Sequence, residues 1–323
     1  MPALVVAAGL VALAMGRAPA GAEAIDLADG ARVLERVEPA PETPLALIEK
    51  ARATSDPRWL GRAQAKLGRW WDEPSPPHDV LVLRATIKQS LHEFDAALVD
   101  LAEALRQDPD DGQAWLTQAT LLRLRGDAEG ARASCEKLER LASELVVAAC
   151  LADEERLISA LGTDAEGPAV RSWALTILAE LEARGDRAAW AENHFRQALA
   201  LTPGDGYLLG AWSDFLLDAG RPGEVVALLD GRDADQLLLR RAIAAKRLGS
   251  PEASSLSEEL GRRFAAGRAR GDRIHLREEA RWLLELGSEP RAALAVARES
   301  WKVQREPADA RLLVDASLAW VTR

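Results

Sequence analysis

The stretch HDVLVLRATIKQSLHEFDAALVDLAEALRQDPDD, residues 78–111, decides how the rest of this chain is read. Its apolar and small residues recur every three or four positions, the spacing of a helix that buries one face. Leu81 and Ala85 share one helical face, and Phe94, Ala97, Leu101 and Ala104 share a second. Pro109 closes the second run, because proline cannot continue a helix. Moving 34 residues forward puts Trp115, Ala119, Leu122, Gly126, Ala131, Cys135 and Leu138 in the same slots. Moving 34 residues back puts Leu47, Ala51, Leu60, Ala63, Leu67 and Trp70 there. Units beginning near Pro44, His78 and Gly112 are therefore in register without a gap, over 44–142.

The pattern returns twice more, over 172–232. A unit from Ser172 carries Leu175, Leu178, Ala179, Ala191, Phe195, Ala198 and Pro203, with its helix breaker, Gly185, one place early. Another from Gly206 carries Leu209, Leu216, Gly220, Val225 and Leu229. Between the two blocks, 143–171 accommodates only a shortened helix pair. The units of 233–323 are degenerate, and Ala310 to Val321 reads as a single capping helix. Trp71 to Pro77, with three prolines, reads as a rigid extended connector. Runs of alternating β-branched or aromatic residues are absent, so no strand is predicted.

This pattern resembles the tetratricopeptide repeat. That family has a large residue at slot 4 of each unit, small ones at 8 and 20, and bulky ones at 11, 17 and 24, with Ala at 27 and Pro at 32. Small residues let two antiparallel helices approach closely, and a turn residue near slot 15 ends the first helix. Departures exist: Arg84 and Lys88 fill slots 7 and 11 of the His78 unit, and Leu138 and Ser143 fill slots 27 and 32 of the Gly112 unit. The resemblance implies an all-α fold, a right-handed α-solenoid of stacked antiparallel helix pairs with a concave groove. In the family the first helices line that groove. The corresponding residues are Val82, Thr86 and Gln89, then Gln113, Leu116, Thr120 and Arg123. Farther along they are Trp173, Thr176 and Glu180, then Tyr207 and Asp214. Trp173, at slot 2, is the tryptophan best placed for partner contact. The Lys and Asn of the family's carboxylate clamp are missing, since Ile48, Arg52, Val82 and Thr86 stand at those slots.

Composition bounds the function. A net charge of −10 argues against a nucleic-acid partner, because phosphate binding needs a basic face. Two cysteines cannot build a disulfide scaffold or a four-ligand zinc site. Ala3 to Met15 is an unbroken apolar run, followed by Ala18-Pro19-Ala20 and Ala22-Glu23-Ala24, which fit a signal peptidase. A signal peptide over 1–24 and a linker with a short helix over 25–43 are expected, with a periplasmic or secreted mature protein.

No phosphate-binding, dinucleotide-binding, nucleophile-elbow or zinc-protease motif occurs, and no cofactor, metal or catalytic residue is expected. His275 with Glu278 and Glu279 offers two ligands at best, short of a closed site. Arg262, Arg263, Arg268, Arg270 and Arg273 lack interleaved aromatics and read as a solvated face. Cys135 and Cys150 are nearly equidistant from the joint of a predicted hairpin. They are either a disulfide or, because packed helix axes lie about 8–10 Å apart, two packed thiols. The leading expectation is a non-catalytic adaptor that holds a peptide or helix of an unidentified protein in the groove. The alternatives are a self-associating structural protein and an accessory domain of an envelope enzyme.

Overall fold

The computed structural model describes residues 43–54, 57–163, 166–272 and 274–322. The expected signal peptide, the linker before Thr43 and Arg273 lie outside them. Among the described residues all regular structure is helical, and no helix is long and apolar enough to cross a membrane. Helices α1 (Pro44–Thr54) and α2 (Arg58–Leu67) form the first pair. Next come α3 (His78–Ser90) with α4 (Phe94–Gln107), and α5 (Gly112–Leu124) with α6 (Ala128–Lys137). The shortened pair is α7 (Glu144–Leu151) and α8 (Glu154–Thr163). Then follow α9 (Pro168–Arg184) with α10 (Ala188–Leu201), and α11 (Gly206–Asp218) with α12 (Pro222–Leu228). The last pairs are α13 (Asp235–Arg247) with α14 (Glu252–Arg270) and α15 (Leu276–Glu285) with α16 (Pro290–Val303); α17 (Pro307–Val321) ends the array.

Local chemistry sets the boundaries. Asp111, Asp127 and Asp205 cap α5, α6 and α11, each accepting from a backbone N–H in the first turn. Slot 15 adopts a left-handed conformation in four units, at His92, Gly126, Asp186 and Gly220. In the Ser172 unit the turn residue is thus Asp186, with φ 57°, and not the glycine before it. Asp tolerates that region better than most L-residues, so the register keeps its 34-residue spacing without glycine. At slot 8, Ala51, Ala85, Ala119, Ala179 and Ser213 are buried, which is where the two helices of a pair approach.

The two charged departures are structural. Arg84 is 5% exposed and makes a two-pronged ion pair with Asp100 at 2.9 and 2.6 Å. Its remaining N–H groups reach the carbonyl oxygens of Trp70, Trp71 and Glu73. Lys88 joins Asp100 at 2.7 Å. One guanidinium therefore ties the connector ahead of α3 to the pair α3–α4.

Cys135 on α6 and Cys150 on α7 form a disulfide, with Cα atoms 5.6 Å apart. Both are buried, and the alanines around them, Ala131, Ala148 and Ala149, leave no bulk to hold the helices apart. Bridging a loop of this size contributes about 3 kcal/mol in the chain-entropy picture. It fixes the place where the repeat register slips.

The array curls until its two halves meet. The N–H of Arg305 donates to the carbonyl oxygen of Leu124 at 2.6 Å. Arg125 donates to the carbonyl oxygens of Lys302 and Val303 at 2.8 and 3.1 Å. Val303 packs against the core shared by α3, α4 and α5. Gly126 turns the chain at this contact with φ 82°, a conformation glycine adopts without steric cost, and a Cβ there would lie in ordinary van der Waals contact with the Arg305 side chain at 3.4 Å.

Candidate functional site

Closure changes the character of the inner face. Val82, Thr86, Leu116, Thr120, Trp173, Thr176, Glu180, Tyr207 and Asp214 are all buried within the chain, and Gln89, Gln113 and Arg123 are half-buried. The expectation of an open groove lined by these side chains is therefore corrected. Successive first helices pack against one another along this face, and Arg281 of α15 reaches Asp214. Thr86, Thr120 and Thr176 satisfy their hydroxyls on the carbonyls of Val82, Leu116 and Ser172, one turn back. Trp173 is 5% exposed, whereas Trp190 on the second helix α10 is 62% exposed.

What the structure assembles is a set of buried ionisable groups. Tyr207 on α11 donates to Glu180 Oε2 on α9 at 2.5 Å. Burial pushes the Glu180 carboxyl up to about 8, against the opposing pull of Tyr207 and Arg184. Burial and the adjacent carboxyl likewise hold the Tyr207 phenol well above its ordinary range. Arg123 on α5 donates to the Cys150 carbonyl oxygen at 2.5 Å; burial lowers its pKa, offset by Tyr207 and Glu306. The disulfide segment and the inner face thus touch through one guanidinium.

A second cluster joins α11, α13 and α15. Asp214 accepts from Arg240 at 2.6 Å and from Arg281 at 2.7 Å. Burial disfavours its charge, but the two guanidinium groups overcome that and hold the carboxyl far below the usual range. A third cluster lies at the seam. Arg277 on α15 binds Glu306 and Asp309, whose capping box starts α17. His92 faces this cluster from the α3–α4 turn. Burial lowers its pKa to about 4, with Glu278, Arg277, His275 and Asp309 as the charges around it.

Of the residues singled out from sequence, Glu180 and Tyr207 come into contact, Arg123 lies near them, and Asp214 belongs to the neighbouring cluster. His92, Arg240, Arg277, Arg281, Glu306 and Asp309 were not among them. All but His92 lie in the degenerate units, where the slot pattern is weakest; the Glu-Pro-x-Asp start of α17 was a local signal. His275 lies 3.8 Å from Asp235, and Glu279 pairs with Arg268. Among the described residues no three His, Cys, Asp or Glu side chains gather as a metal site. In the basic stretch, Arg262 and Arg263 pair with Glu259, and Arg270 pairs with Asp272.

No family model matches the chain, and no curated protein matches it. Among solved structures it is similar to a tetratricopeptide repeat protein from Parabacteroides merdae, at 16% identity and TM-score 0.36, covering 85% of this chain and 96% of that one. It is also similar to the APC/C hetero-tetramer Cut9–Hcn1 (14% identity, TM-score 0.36, 86% of this chain and 49% of that one). A third is the TPR domain of P58(IPK), with 16% identity, TM-score 0.25, 86% of this chain and 98% of that one. The class rests on the chain's own geometry: helix pairs in a 34-residue register, stacked as an all-α solenoid of tetratricopeptide-repeat type.

Proposed function

We propose that this chain is a non-catalytic scaffold of the cell envelope that binds an extended segment of a partner protein along its inner face. The observation that carries this reading is a pair of unsatisfied groups on α9. Trp173 Nε1 and Glu180 Oε1 are buried and lack hydrogen-bond partners. A buried donor or acceptor left alone costs about 1–3 kcal/mol, so such groups call for a ligand. The two lie seven positions apart on one helix, a rise of roughly 10 Å. An extended backbone covers that distance in about three residues and offers a carbonyl oxygen to one group and an N–H to the other. Half-buried Gln89, Gln113 and Arg123 flank the same face. A bridged Cys135–Cys150 pair and an apolar leader both suit an oxidising compartment. Entry requires the seam between Leu124–Arg125 and Lys302–Arg305 to part, which makes binding a population shift between closed and open forms.

The test is crosslinking of the tagged full-length chain in intact bacterial cells, followed by identification of what co-purifies. Two variants serve as controls: Trp173→Phe with Glu180→Gln, and Gln89, Gln113 and Arg123 changed together to Ala. Capture by the native chain and loss by both variants is the expected result. A partner retained by both would place the site elsewhere. Self-crosslinks alone would eliminate the scaffold reading.

A further inference from the structure

Positive charge on the inner face is incompletely compensated. Arg123 on α5 and Arg184, the last residue of α9, are both half-buried. Arg123 uses one N–H on the Cys150 carbonyl oxygen, and a guanidinium carries five. Among the described residues neither guanidinium has an ion pair, and Arg184 makes no side-chain hydrogen bond. Burial lowers the Arg123 pKa, and the nearby positive charge of Arg184 adds to that effect.

The carboxyl groups around them do not supply the balance. Glu180 stands one turn before Arg184 on α9, and burial, which pushes its carboxyl up to about 8, keeps it mostly neutral at pH 7. Asp214 is shared between Arg240 and Arg281. Glu306 is held by Arg277. It comes near Arg123 only across the seam, because the bond from the Arg305 N–H to Leu124 sets residues 305–306 beside 123–124. The segment that delivers Glu306 is extended at Gln304, with φ −136° and ψ 145°. Gln304 and Glu306 are buried and Arg305 between them is exposed. The chain thus already presents an acidic side chain to this site from an extended backbone.

We propose that the partner segment is acidic: Arg123 and Arg184 receive a Glu or Asp side chain of that segment in the place Glu306 leaves when the seam parts. This rests on the reading of the inner face as the binding surface. With the seam apart, two neighbouring cations stay half-buried without a counter-charge, and a carboxylate bound to both removes that cost. Arg184 lies one turn beyond Glu180, about 6 Å along α9. An extended backbone covers that rise in about two residues, so the acid sits about two positions beyond the residue that meets Glu180. The site is selective, since a net charge of −10 gives acidic peptides no general attraction to the chain.

The probe is a dye-labelled peptide of alternating Thr and Glu, blocked at both ends, compared with its Thr/Gln counterpart by fluorescence anisotropy. Both are titrated on the native chain and on Arg125→Ala, whose seam opens more readily. The Thr/Glu peptide is expected to bind at least about tenfold tighter than the Thr/Gln peptide, and tighter to Arg125→Ala than to the native chain. Arg123→Gln with Arg184→Gln abolishes the preference and leaves the Thr/Gln affinity unchanged. Arg123→Lys with Arg184→Lys retains most of it, which loss of folding would not allow. Equal binding of the two peptides by Arg125→Ala, or a preference that outlasts both arginines, overturns the acidic segment and leaves the inner face as a binding surface. A Thr/Gln peptide with a free C-terminal carboxylate that matches the Thr/Glu peptide would assign the site to a chain end and overturn the side-chain assignment. Binding of neither peptide also overturns it, and the crosslinking in cells then decides the scaffold reading separately.

Discussion

The amide of Arg305 meets the carbonyl oxygen of Leu124 at 2.6 Å, joining the linker before the last helix to the turn of an early helix pair. The neighbouring Arg125 reinforces the seam through two carbonyl oxygens and is itself held from its own side by Asp95 at 3.2 Å. A solenoid held this way does not present an open groove, and its inner face becomes core. Arg125→Ala removes these bonds and is expected to destabilise the chain by about 1–3 kcal/mol. Hydrogen exchange should accelerate at 122–127 and 302–306 while α9 stays protected. Uniform acceleration would mean that the seam is not a separate unit.

Reduction is expected to act at the register slip. The Cys135–Cys150 loop spans 15 residues, so its loss lowers stability by about 3 kcal/mol. Thermal melts with and without reductant measure this, and Cys135→Ala with Cys150→Ala should make the two melts coincide. An unchanged midpoint in the native chain on confirmed reduction would contradict it.

Stability should fall as pH rises from about 6.5 to about 8. Glu180 has a folded pKa of about 8 against 4.5 in the free residue, so folding favours its neutral form. The stabilisation it lends is complete below the unfolded value and is lost as pH climbs through the folded one. Over that window the loss is about 2 kcal/mol, at about 1.4 kcal/mol per pH unit. Urea midpoints across the range should flatten in Glu180→Gln. On the acid side His92 acts in the opposite sense: its pKa is lowered from 6.5 to about 4, so the stabilisation it lends is lost as pH drops and offsets the continuing gain from Glu180 between about 6.5 and 4.5. His92→Gln should remove that offset, so that stability keeps rising down to about pH 4.5.

Arg84 is expected to resist its conservative replacement. Arg84→Lys keeps the charge but cannot bind Asp100 with two prongs and reach the connector carbonyls as well, a loss of about 2 kcal/mol. Limited proteolysis should then cut near Asp72–Pro77 first. Resistance equal to the native chain would show that the prolines alone hold the connector.

Much of this was written locally. The 34-residue phase of Leu81, Trp115 and their counterparts, with small residues at slot 8 and a breaker at slot 15, is a helical code that no strand pattern competes with. Asp186 shows its limit, since Gly185 carries the usual breaker residue type while the neighbouring Asp takes the left-handed turn. Arg84 and Lys88 looked like errors in an apolar slot; only their contact with Asp100 turned them into structure. The groove slots were legible as positions on the first helices, but their exposure was not. Burial depends on what lies across the superhelix, and neither a repeat nor its phase contains that information.

Period and pairing follow from the sequence alone, because they depend on side chains within a few turns of one another. Closure, the bridge between Cys135 and Cys150, and the buried clusters around Glu180, Asp214 and Arg277 were decided only in three dimensions. Small differences in packing between successive pairs accumulate along a solenoid. Their sum determines whether Arg305 reaches Leu124, and with it whether the inner face is an open groove or a core.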